Sequence, residues 1–158
     1  MKAATDNKMT AKKYEFLEHT ADVKFMAHGK TIEEAFKNSA EAVREVITKN
    51  KIEKKIRKGL GVMADDTEGL LYNFLEEIIF LFDSENFIIS EVENLEIKKD
   101  GSGFSLKCDF FGDRSDAVET KSKERKYEFQ EHVKAVTYNQ MKIEKTKSGY
   151  NITVVLDV

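Results

Sequence analysis

Tyr14-Glu15-Phe16-Leu17-Glu18-His19-Thr20-Ala21-Asp22-Val23-Lys24-Phe25-Met26-Ala27 opens the readable part of this chain. Tyr14–Glu18 and Val23–Ala27 read as short strands, and His19-Thr20-Ala21-Asp22 is the link between them. The link places a histidine and a carboxylate three residues apart where one strand gives way to the next. A carboxylate in that position is a hard oxygen ligand or an acid/base group, depending on its neighbours. Its candidate neighbours are at the far end of the sequence, Val154-Val155-Leu156-Asp157-Val158. There a second aspartate stands one residue before the last carboxylate. If the last strand returns beside the first, three negative groups converge, and such a cluster needs a cation.

Working outward, Gly29 marks a turn, and Thr31-Ile32-Glu33-Glu34 opens a helix with the pattern of a capping box. Thr31 is expected to accept from the Glu34 N–H, and Glu34 to reach back to the N–H of Thr31. Ile32, Ala35, Phe36, Ala40, Val43 and Ile47 recur at three- and four-residue steps, so one stripe faces a core. Asp65-Asp66-Thr67-Glu68 starts a second helix, with acidic groups where free N–H groups and the helix dipole favour them. Leu70, Leu71, Phe74, Leu75, Ile78, Ile79, Leu81 and Phe82 make its apolar face broad. Gly69 is an unfavourable helix residue with no reason visible in the sequence. Asp83-Ser84-Glu85-Asn86 ends the helix.

The remainder reads as strands. Phe87–Ile89 and Val92–Lys98 lead into Asp100-Gly101-Ser102-Gly103, and Phe104–Phe110 answers them as a hairpin. Asp113–Lys126 is charged and is expected to be a surface loop. Val133–Tyr138, Met141–Lys147 and Ile152–Asp157 read as three further strands, the last two joined around Ser148-Gly149. Two amphipathic helices among these strands predict an α+β fold: a two-layer sandwich, a largely antiparallel sheet with both helices on one face. There is no proline, repeat or linker. The expected organisation is a mobile polar extension over 1–13 and a single domain over 14–158.

Composition excludes several classes of function. The 158 residues suit one core, and a net charge of −3 gives no electrostatic drive toward non-specific nucleic-acid binding. The basic run Lys49–Lys58 reads either as a contact for RNA or an acidic partner, or as the solvated face of an edge strand; the overall charge favours the second. One cysteine, Cys108, excludes an intramolecular disulfide and suits a reducing compartment; in its alternating run it reads as a small apolar strand residue. No apolar run approaches the roughly 20 residues of a membrane span, and no signal peptide is recognisable, so a cytoplasmic location is expected. No glycine-rich phosphate loop, zinc spacing or nucleophile turn is present. His19 reads as a hydrogen-bonded structural histidine standing behind the aspartates rather than as a ligand. His28 and His132 have no companions.

His19-Thr20-Ala21-Asp22, Gly29 and Thr31–Phe36 resemble the opening signature of the archease family. Asp66-Thr67-Glu68-Gly69-Leu70-Leu71 with Phe74-Leu75-Glu76-Glu77 resembles its second helix. Val133-Lys134-Ala135-Val136-Thr137-Tyr138 and Leu156-Asp157-Val158 resemble its last two blocks. The match runs from Tyr14 to Val158 with the blocks in order. The resemblance implies an accessory protein, not an enzyme, acting on the GTP-dependent tRNA-splicing RNA ligase by promoting its guanylylation and turnover. It implies a divalent cation, calcium before magnesium or manganese, on Asp22, Asp157 and Val158, and an important lysine at Lys134. The chain departs from the family pattern at Asn139, where histidine usually follows Thr-Tyr. It departs again at Gly112-Asp113-Arg114-Ser115-Asp116, with no histidine until His132. Two rival readings stay open: a metal-dependent phosphohydrolase or nuclease using the same carboxylates, and a metal-independent chaperone or adaptor for a tRNA-modifying enzyme.

Overall fold

The computed structural model describes residues 12–158; most of the expected extension over 1–13 lies outside the described residues. Lys13 is tied to the fold: its carbonyl accepts from the His28 N–H at 2.8 Å and its ammonium stands 3.3 Å from Glu41. The elements are β1 (Tyr14–Leu17), β2 (Val23–Gly29), α1 (Ile32–Ile47), β3 (Ile56–Ala64), α2 (Thr67–Glu85), β4 (Phe87–Asp100), β5 (Gly103–Arg114), β6 (Ala135–Thr146) and β7 (Gly149–Asp157). The fold is α+β. Every strand pair is antiparallel, and the strands divide between two sheets, β1-β2-β7-β6 and β3-β5-β4.

The helix ends follow local chemistry. Thr31 caps α1, its hydroxyl accepting from Glu34 N at 3.1 Å. The return arm of the expected capping box lands one residue earlier, with Glu34 Oε1 accepting from Lys30 N at 2.5 Å. Asp66 caps α2 by accepting from Gly69 N at 2.7 Å. That bond accounts for Gly69: a Cβ there would stand 3.0 Å from Asp66 Oδ1 and 3.3 Å from Ala64 Cβ. The cap therefore tolerates little more than hydrogen at this position. Asn86 closes α2 in the left-handed region at φ 53°, and its N–H donates to Leu81 O.

Both helices bury the expected stripes, and Phe36, Phe74 and Phe110 meet at the centre with ring centroids 5.8 Å apart along the chain of contacts. α1 packs on β2, β4 and β7, and α2 on β3, β4, β5 and β6, so the helices join the two sheets. Phe80 is the exception on α2, 52% exposed.

Two strand readings change. Phe87–Ile89 and Val92–Lys98 are one strand, β4, whose register shifts at Ile89/Glu91 and at Glu93/Glu96 absorb Ser90 and the Asn94-Leu95 pair. Val133–Tyr138 and Met141–Lys147 merge into β6, with the irregularity between Thr137 and Lys142 and Gln140 at φ 59°. The hairpin turn at Asp100-Gly101-Ser102-Gly103 forms as expected, with Gly101 at φ 63°.

The expected surface loop Asp113–Lys126 needs correction at its start. Asp113 and Arg114 belong to β5, and Asp113 is buried. Its carboxylate accepts from the Tyr127 hydroxyl at 2.7 Å and from Arg114 N at 2.8 Å, with the Lys126 ammonium at 3.5 Å. The loop leaves the fold at Asp113 and returns to it at Tyr127. Burial opposes the Asp113 charge, but the Tyr127 hydroxyl, the Arg114 N–H and Lys126 together hold its carboxyl below the ordinary 3.8. A depressed carboxylate contributes stability that is fully present above its unfolded value and is lost as pH falls through the folded one. The Tyr127 ring resonances should therefore move in an NMR titration that takes the protein from about pH 4 downward. In Asp113→Asn they should start displaced and stay flat over the same range.

Cys108 is buried on β5, and burial, aided by the neighbouring Asp109 charge, pushes its thiol up to about 12. The apolar reading of this residue holds. An alkylating reagent at neutral pH should leave Cys108 unmodified in the folded protein and modify it fully in urea, as mass spectrometry would show.

Candidate metal and partner site

The two ends of the domain meet in one ladder. β2 pairs with β7, and the pair at its end is Val23 with Leu156. Continuing that register by one step sets Asp22 opposite Asp157, and directly opposed residues of an antiparallel pair share a face. On the other side of β7, Ala135 is opposite Asp157, and Lys134 N donates to Asp157 O at 2.8 Å. Asp22, Asp157 and Lys134 thus come from three adjacent strand ends. Asp22 and Asp157 are half-buried and Lys134 is exposed. Val158 is half-buried and packs against the core.

His19 lies in the link before Asp22, half-buried, and its Nδ1 is enclosed without a hydrogen-bond partner. An enclosed imidazole nitrogen of that kind is suited to orienting an oxygen ligand or its water. Among the described residues no three His, Cys, Asp or Glu side chains converge as a metal-holding group. The set that the resemblance implies is of another composition: two aspartates and the Val158 main-chain oxygens. An all-oxygen set suits calcium, magnesium or manganese rather than zinc or copper, so the residues present fit the cation that the family resemblance implies.

The other candidates resolve into structural ties. His28 Nδ1 is 2.7 Å from Asn151 Oδ1 and its Nε2 is 3.3 Å from Glu15, so it bridges β1, β2 and β7. His132 stands 3.3 Å from Asp83. The basic run Lys49–Lys58 leads into β3, an edge strand, and is largely neutralised by acids of neighbouring elements. Lys54 lies 2.6 Å from Glu91 and 3.0 Å from Glu93, Arg57 2.6 Å from Asp109, and Lys58 3.0 Å from Glu85. Such exposed pairs add little stability, but they leave the run little free charge for a polyanion. Asn139 is exposed in the irregular part of β6.

The sequence did not mark Glu76 as belonging near this site. It accepts from the Val136 N–H at 2.7 Å, immediately beside the Lys134–Asp157 contact. The available signal was a carboxylate on a helix face otherwise committed to packing.

No helix among the described residues is long and apolar enough to cross a membrane. The model of the Archease protein family matches residues 14–158. The Methanosarcina mazei protein archease is 36% identical over 148 residues, covering 93% of this chain and 97% of its own. That of Pyrococcus abyssi is 40% identical over 139 residues, covering 87% and 92%. A solution structure of a Methanobacterium thermoautotrophicum protein superposes with a TM-score of 0.74 at 29% identity, covering 92% of this chain and 99% of that one. With two relatives above a third identity and a family match across the whole folded region, the chain belongs to the archease family.

Proposed function

We propose that the protein is a cytoplasmic accessory factor of the GTP-dependent tRNA-splicing RNA ligase, promoting the ligase's guanylylation and repeated turnover. Family membership supports the accessory role. The observation that carries the site reading is the β2–β7 register, which puts Asp22 at the same end of the ladder as Asp157, with Lys134 bonded to Asp157 on the other side. Asp22, Asp157 and the Val158 oxygens would hold a divalent cation, calcium before magnesium or manganese. When bound, that cation would supply a compact positive charge and a point of attachment for oxygen ligands. Lys134 is exposed at the adjoining strand end, and its ammonium would pair with a phosphate or carboxylate of the ligase. His19, whose Nδ1 is enclosed without a partner, would stand behind Asp22 and orient it or its water.

The test is guanylylation of the matching ligase with and without this protein, across a series of divalent metal concentrations. The proposal expects a faster and fuller ligase–GMP adduct in the presence of the protein, and less effect in chelator. Equal guanylylation with and without it would refute the proposal. Turnover of phosphodiesters by the protein alone would favour the nuclease reading instead.

A further inference from the structure

Two side chains on one face of α2 grip the open edge of β6. Among the described residues β6 is the last strand of its sheet, so N–H groups on its outer side have no described strand to receive them. Glu76 Oε2 accepts one of them, Val136 N, at 2.7 Å. One helical turn earlier, Tyr72 stacks on Tyr138 with ring centroids 4.4 Å apart and planes 6° from parallel. Residues four apart on a helix share a face, and both contacts reach the same short stretch of β6, one at a backbone N–H and one at a ring, so together they form one clamp. On the inner side, the Thr137 hydroxyl donates to Val155 O at 2.9 Å. The opening residues of β6 are therefore held from both edges.

The clamped segment is the one that carries the site. Lys134 lies two residues before Val136, and Ala135 between them is opposite Asp157. Lys134 itself is exposed, and its backbone bond to Asp157 O is the only one of these ties that it makes directly. We infer that Glu76, supported by the Tyr72–Tyr138 stack, is a positioning residue: it closes the β6 edge and fixes where Lys134 leaves the sheet. This rests on the reading of Lys134 as the group that contacts the ligase. Glu76 needs no contact with the ligase or with nucleotide in this role. What it supplies is a charged acceptor for a backbone N–H that would otherwise face water or a foreign strand.

The test compares Glu76→Ala and Glu76→Gln with the wild type in three measurements: amide exchange at Val136, calcium binding, and stimulation of ligase guanylylation. Glutamine keeps an acceptor oxygen and alanine removes it. The expected result for E76A is Val136 exchange faster by about tenfold and stimulation reduced by a similar factor, with calcium affinity unchanged. E76Q should restore most of both. Unchanged Val136 exchange in E76A would overturn the inference. So would equal loss of stimulation in E76A and E76Q with Val136 still protected in E76Q, since that pattern assigns Glu76 a direct charged contact. If wild-type protein does not stimulate the ligase at all, the proposed function fails, and Val136 exchange still decides the clamp.

Discussion

Asp22→Ala is expected to abolish stimulation of ligase guanylylation while leaving the fold nearly intact. Asp22 lies just outside β2 in the link from β1, half-buried, and among the described residues its carboxylate enters no ion pair. Nothing in the packing depends on it, so its removal should change stability by no more than about 0.5 kcal/mol. On the proposed reading, what the substitution removes is one of two aspartates that a bound cation would hold against their mutual repulsion. Incorporation of labelled GMP into the ligase measures the outcome, with thermal unfolding as the control. Full stimulation by Asp22→Ala would take the cation out of the account. Lys134→Ala should behave differently: it should impair stimulation without impairing calcium binding.

Phe74→Ala carries the largest expected effect on stability, a loss of about 3–5 kcal/mol in urea unfolding. Phe74 is fully buried on α2, 5.8 Å from Phe36 of α1 and 5.8 Å from Phe110 of β5. It joins both helices to the second sheet, and the cavity left by alanine would be lined by two rings that cannot both collapse into it. Phe80→Ala is the internal comparison. That ring is on the same helix but 52% exposed, and its loss should change stability by less than about 0.5 kcal/mol. Equal costs for the two would contradict the assignment of the core.

The helices were legible in the sequence because their signals are local. Thr31 and Asp66 cap the elements that begin beside them, and the apolar spacing of Ala35, Phe36, Ala40 and Val43 needs no partner to be read. The strands were legible in kind but not in extent. Ser90 and Glu91 in β4, and Asn139 and Gln140 in β6, read as interruptions. A bulge keeps such residues within one strand, and only the facing strand determines that. The partition into two sheets is likewise a matter of pairing between distant segments. Asp113 was misplaced because it begins a charged run, and the Tyr127 hydroxyl that keeps it buried is fourteen residues away.

At the site the balance was similar. Asp22 and Asp157 could be nominated from the sequence because each stands at the boundary of an apolar strand, where a carboxylate calls for an explanation. Their adjacency required β7 to return beside β2, which the register bears out. Glu76 was not readable, since its partner is a backbone N–H that carries no side-chain signature. The edge on which that N–H lies exists only once β6 has taken the last place in its sheet.

Calcium titration by calorimetry, into wild-type protein, Asp22→Asn and Asp157→Asn, tests the central claim most directly. The account predicts one site in the wild type and affinity weaker by at least about tenfold in each variant, because each removes one of the few charged ligands. Binding by either variant as tight as that of the wild type would contradict it.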